Sequence, residues 1–325
     1  MDDDAMPTTL YSKPWRSPAA LVKVLKSKRL EFLDETEAEN ILSQISYYHF
    51  KIYLHPLLDP ESPDGKHYKK DEYFEYGLEL YRFDEKLRVL LFGVIARLEV
   101  KLRSRLDHVL SAYSNNPFWY LDDAYFFTKH GAGYIDDTRK GIRRDFKKED
   151  ELYARHYCRK YHNNVHAQFT ELPPFWIAGE LITIGCLFRI FNAIDHGYFR
   201  RLAAPANALL DNLAKEFGAN DFKALTNWVR RLRDVRNRCA HHSRLWNAKL
   251  AAPSQIAGEL SIPEVHQYRP YLSICVMHKM IKSLGLTGID LKSDILRFFA
   301  GNHAARRYMA DTGFPQGWEN DPFWN

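Results

Sequence analysis

Between Phe74 and Tyr113 the residues Leu87, Leu90, Leu91, Val94, Leu98, Leu102, Leu106 and Val109 recur at helical spacing, and no proline interrupts them. A stripe kept over that length specifies one helix of about eleven turns with a single apolar face. Such a helix cannot bury its own face, so it is expected to be the spine around which other helices pack. Elsewhere the apolar residues also follow the helical period, and alternating β-branched runs are almost absent. The expected fold class is therefore all-α, a helical bundle in which strands are incidental.

The remaining elements follow from punctuation. Pro14 and Pro18 precede a short helix over about 18–30, and Asp34-Glu35-Thr36-Glu37 opens a second that runs through Ile41, Leu42, Ile45 and Tyr48. Pro56 to Gly65 reads as a loop. Pro173-Pro174 starts an internal apolar helix over Phe175 to Ile194, followed by helices over about 207–217, 221–241, 264–284 and 290–300. The tail over 301–325 holds Gly313, Pro315, Gly317 and Pro322 and reads as an irregular arm anchored by Phe314, Trp318, Phe323 and Trp324. No linker forces a split, so residues 1–300 are expected to form one helical domain: an N-terminal part over about 13–60, a core over about 74–250 and C-terminal helices over about 264–300.

Composition removes several classes. With 46% apolar and 27% charged residues, the 325-residue chain is neither disordered nor collagen-like. Cys158, Cys186, Cys239 and Cys275 stand far apart without a C-x-x-C pair, which speaks against a disulfide framework and a thiolate zinc site. The start Met1-Asp2-Asp3-Asp4 is acidic where a signal peptide is basic. The most apolar stretch, Leu172 to Phe188, contains Glu180 and is too short to span a bilayer. The expectation is a cytoplasmic protein with no membrane partner.

Net charge is only +5, but it is unevenly placed. Phe222 to Lys249 holds Lys223, Arg230, Arg231, Arg233, Arg236, Arg238, Arg244 and Lys249 against Asp234 alone, a local +7, so the rest of the chain sums to −2. The candidate RNA-binding residues are Arg230, Arg231, Arg233, Arg238, Arg244 and Lys249. A second basic stretch, 137–164, reads either as a solvated helix or as one that faces nucleic acid.

Within the basic segment, Phe222, Leu225, Trp228, Val229, Leu232, Val235 and Cys239 form an apolar arc, and Arg236 falls inside it. A guanidinium on the buried side needs a partner or a facing subunit. Asn237 and His241 share the polar edge, at a helix end that favours a protonated imidazole. An arginine, an amide and a histidine around one pocket suit cleavage of a phosphodiester by its own 2′-hydroxyl, with the imidazole as acid or base and the cation on the developing phosphorane charge. No metal or other cofactor is called for, and H-E-x-x-H, Walker-A and G-x-G-x-x-G patterns are missing. Arg-to-His spacing alone carries nothing, since Arg103/His108, Arg155/His162, Arg159/His166, Arg189/His196 and Arg297/His303 are similarly spaced. On the bland alternative, Arg236 pairs with an internal carboxylate and the histidines cap the helix.

The string Arg236-Asn237-Arg238-Cys239-Ala240-His241-His242-Ser243-Arg244-Leu245-Trp246-Asn247 resembles the signature of the Abi family of bacterial abortive-infection proteins, the AbiD/AbiF-like group of the HEPN superfamily. Three earlier blocks resemble it too: Lys13-Pro14 through Lys28-Arg29-Leu30 with Ser43 to Tyr48, then Tyr81 to Arg88, then Arg97 to Ser104. The resemblance spans about 13–250. It implies a HEPN-type helical bundle, a homodimer whose two Arg/His motifs line one cleft, and a metal-independent endoribonuclease toxin of phage defence controlled by a small non-coding RNA. Carried over by position, Arg236, Asn237 and His241 are the catalytic set. His242 is a neighbour able to substitute or orient, and Glu99 and Arg103 are supporting residues expected to pair with Arg236. The alternatives are a non-cleaving RNA-binding module in a ribonucleoprotein and a helical scaffold that senses a phage protein.

Overall fold

In the computed structural model, residues 11–127, 133–250, 256–260 and 268–325 are described. Met1 to Asp4 and the first positions of the helix expected over 264–284 lie outside them. Among the described residues the chain is helical throughout, with β pairing limited to isolated bridges joining Glu31 to Tyr73, Leu58 to Tyr68 and Phe126 to Ile194. The all-α expectation holds at this level.

The chain divides into two units. The first comprises the residues up to Phe83 together with Phe299–Tyr308. Ser17 caps the helix Pro18–Ser27 and Asp34 caps Glu35–Gln44, its carboxylate accepting from the Thr36 and Glu37 amides at 2.8 and 3.0 Å. That second helix does not run on to Tyr48: Ile45 is extended and a short helix, Tyr47–Phe50, follows. The expected loop over Pro56 to Gly65 begins inside a 3₁₀ segment, Lys51–Leu57. Phe50, Tyr53 and Phe74 form the unit's aromatic core, with the Phe50 and Phe74 rings 4.9 Å apart. The returning segment is fixed by polar bonds: Asn302 donates to the Glu79 carbonyl at 2.7 Å, and the buried Glu72 carboxylate takes Tyr308 at 2.6 Å and Arg307 at 2.7 Å.

The second unit comprises Asp84–Phe298 and Met309–Asn325. Its spine is the remainder of the long helix Phe74–Ser114, in which Leu87, Leu91, Val94, Leu98, Leu102, Leu106 and Leu110 are buried. Leu90 and Val109, at the edges of the expected stripe, are half-buried. The apolar helix after Pro174 is broken in two, Phe175–Leu181 and Ile184–Ala193. Thr183 caps the second piece, and Arg103 donates to the Ile182 carbonyl freed by the break, at 2.7 Å. The tail is more ordered than an arm. Phe314, Trp318 and Trp324 are buried around Tyr271 of the helix Pro270–Ser283, and the Trp324 indole donates to the Tyr271 hydroxyl at 3.1 Å.

Candidate active site

The helix Phe222–Ala240, the motif helix below, starts at Asp221, whose carboxylate accepts from the Ala224 amide at 2.8 Å. Its expected apolar arc, Phe222, Leu225, Trp228, Val229, Leu232, Val235 and Cys239, is buried. The Cys239 thiol is pushed up to about 12 by burial and by the nearby Asp84 carboxylate, so at neutral pH it is a core residue and no nucleophile.

The helix ends in a tight reversal. Ser243 donates to the Arg238 carbonyl at 2.8 Å and His242 to the Cys239 carbonyl at 3.2 Å, the paired bonds of a Schellman stop. His242 holds the left-handed position, φ +53°, usually given to glycine. Asp84, fully buried, then anchors the returning chain: its oxygens accept from the Leu245 amide at 3.2 and 3.1 Å and pair with Arg88. Leu245 and Trp246 are buried with it. The block Tyr81 to Arg88 thus supplies the group that holds the turn beyond the motif.

This reversal encloses a cleft of about 420 Å³ lined by Asp234, Asn237, Arg238, His241, Ser243, Lys249 and Leu250. Asp234, Asn237, Arg238 and His241 occupy successive turns of one helix face. Arg238 braces the opposite wall by donating to the Arg244 and Lys249 carbonyls, each at 3.3 Å. Asp234 is paired with Arg233 at 2.8 Å, and that guanidinium also lies 4.4 Å from the Phe188 ring. His241, His242 and Lys249 are exposed. The cleft therefore offers an accessible imidazole, an amide, a hydroxyl and two cations, a set able to bind a phosphodiester and move a proton on it.

Not every residue singled out in the sequence is there. Arg236 does not line the cleft: its guanidinium sits 5.7 Å over the Phe92 ring of the long helix, about 140° around the motif helix from His241. Nor is it paired with Glu99, whose partner is Arg103, one turn on in the same helix. Arg231 leaves the basic face altogether. It is fully buried, donating to Ser273 Oγ at 2.7 Å and to the Arg269 carbonyl at 2.8 Å, and burial lowers it to about 10. On the wheel it stands about 40° beyond Val235, beside the edge of the buried arc, which lets it turn inward. Arg230 is exposed, and Arg244 is half-buried against Asn247. Sequence reasoning passed over Asp234, Ser243 and Leu250. Asp234 had a readable signal, standing three and seven residues before Asn237 and His241.

A second cluster, Asp123, Asp136 and His166, brings its ligand atoms within 4.8 Å of one another. The fully buried Arg139 already donates to both carboxylates, at 2.5 and 2.8 Å, so the cation held there is a guanidinium.

Fold and site together define an all-helical protein with a polar, cation-bearing cleft at the end of one helix. Over residues 40–247 the chain matches the family described as Abi-like protein, and it belongs to that family. No curated protein and no solved structure matches it. Among the described residues no helix is long and apolar enough to cross a membrane.

Proposed function

We propose that this chain is an anti-phage abortive-infection protein of the HEPN type, a metal-independent endoribonuclease that a bound small non-coding RNA restrains. The observation that carries this reading is the cleft in which Asn237 and His241 stand together with Arg238 and Lys249. Among the described residues neither cation is paired with a carboxylate. In the reaction the 2′-hydroxyl loses its proton and attacks the adjacent phosphorus, and the P–O5′ bond breaks. The leaving oxygen takes a proton, and a 2′,3′-cyclic phosphate remains. His241 transfers a proton at one of these oxygens, Arg238 and Lys249 offset the phosphorane charge, and Asn237 orients the phosphate or the ring.

The separation of Arg236 from this cleft favours a two-fold assembly in which each Arg236 serves the other copy's cleft. Beside Phe92, the long helix exposes Val89 at 72%, Phe92 at 40% and Val100 at 61%, with Gly93 and Ala96 on the same face. An apolar stripe with small residues at its centre suits close antiparallel contact with itself. Cleavage of RNA in EDTA tests the reading: the wild type yields cyclic-phosphate ends and His241→Ala none, whereas full activity of His241→Ala rejects the role given to that ring. Mixing Arg236→Ala with His241→Ala protein tests the assembly, which predicts that activity returns in the mixture. A second reading, an RNA-binding module that does not cut, keeps the same cations on phosphates; small RNA co-purifying with an inactive wild type favours it.

A further inference from the structure

Beside the cleft an aromatic ring stands partly in solvent on backbone that hydrogen bonds hold. Tyr268 is 52% exposed. Its carbonyl accepts from the amide of Leu250, a cleft residue, at 2.7 Å, and the Lys249 ammonium lies 5.4 Å from its ring centroid. Lys249 also lines the cleft, and its carbonyl is braced by Arg238. The next residue, Arg269, is held from two sides: its guanidinium donates to the Asn247 carbonyl at 2.6 Å, and its own carbonyl takes the buried Arg231 at 2.8 Å. Arg231 is anchored in turn on Ser273.

A ring half open to water adds little to folding, while two hydrogen bonds, to the Tyr268 and Arg269 carbonyls, hold the backbone that presents it. A rigid aromatic platform next to a phosphate-binding lysine is the arrangement that takes an unpaired base, because stacking needs a free π-face and the neighbouring phosphate needs the cation. A base inside a duplex is already stacked on both faces and cannot use it.

We propose that Tyr268 is a base-stacking subsite of the cleft, taking the unpaired base next to the phosphate that Lys249 meets. The proposal rests on the reading of the cleft as an RNA site and adds to it a contact with a base. It gives Arg231 a purpose as well: this buried guanidinium positions the platform and touches no RNA.

The test uses full-length protein carrying His241→Ala, so that the probe stays intact, and reads fluorescence anisotropy with a short labelled RNA, single-stranded or annealed to its complement. Adding Tyr268→Ala should weaken single-strand binding about tenfold and leave duplex binding unchanged. Tyr268→Phe and Tyr268→Trp should keep the parent affinity, which a merely structural tyrosine would not require of tryptophan. Equal single-strand affinity for Tyr268→Ala and its parent overturns the subsite while the cleft reading stands, as does an equal loss on both RNA forms. A wild-type chain that binds neither RNA overturns the cleft reading and the subsite together.

Discussion

The helix Gly133–Lys147 and the motif helix look alike as strings of basic residues, yet their charges are placed in opposite ways. In the former every cation meets a carboxylate: Arg139 with Asp123 and Asp136, Lys140 with Asp137, Arg143 and Lys147 with Glu171, Arg144 with Asp145. In the motif helix Lys223, Arg230, Arg236 and Arg238 meet none among the described residues. A phosphate approaching the first helix must compete with anions at every cation; one approaching the second meets a single carboxylate, Asp234, already paired with Arg233. Basic residues counted along a sequence are therefore an upper bound on the charge available to RNA.

The comparison breaks if its two sides respond alike to substitution. The largest expected effect is on the internally paired side: Arg139→Ala removes a fully buried guanidinium from two carboxylates and the Tyr120 carbonyl and should cost about 3 kcal/mol in urea unfolding, with RNA affinity unchanged. On the open side, Arg238→Ala combined with Lys249→Ala loses only the two long bonds from Arg238 to carbonyls and should cost about 1 kcal/mol in stability. It should weaken RNA binding by about tenfold and flatten the dependence of log affinity on log salt by about 0.7 for each phosphate no longer neutralised.

A titration sharpens the same distinction between engaged and open groups. Burial, aided by Lys282, lowers His278 to about 4 from its ordinary 6.5, against the Trp324 ring 4.5 Å away. The unfolded chain binds that proton first, so the stability gained from the neutral ring is complete above the ordinary value and is lost as pH falls from there toward the folded one. Because the ring is only half-buried, the loss should be about 1 kcal/mol, and it should vanish from the difference between neutral and acidic urea midpoints in His278→Phe. The smallest effect expected is at the helix stop. His242→Gly relieves the left-handed strain and should stabilise by about 0.5 kcal/mol while RNA cleavage persists, which separates the turn residue from His241.

Local patterns carried much of this into the sequence. The long helix, the cap at Asp34 and the buried arc of the motif helix all follow from neighbours within a few turns. What stayed illegible depends on pairs far apart in the chain. The break at Ile182 is matched by Arg103, and the turn after the motif is held by Asp84, so neither could be read from its own surroundings. The same holds for Arg231, which the wheel sets beside the buried arc but which only Ser273 and the Arg269 carbonyl make tolerable inside. The tail was readable as having aromatic anchors, while the partner that receives them, Tyr271, was not. Arg236 was placed correctly off the polar edge by its angle, and its neighbour proved to be a ring on the long helix rather than an acid.

The most direct measurement is mass analysis of the termini left on a defined single-stranded RNA incubated with the purified chain in excess chelator. Fragments ending in 2′,3′-cyclic phosphate for the wild type, and intact RNA for His241→Ala, are the predicted result. Intact RNA with the wild type freed of bound nucleic acid, or the same cyclic ends from His241→Ala, would contradict it.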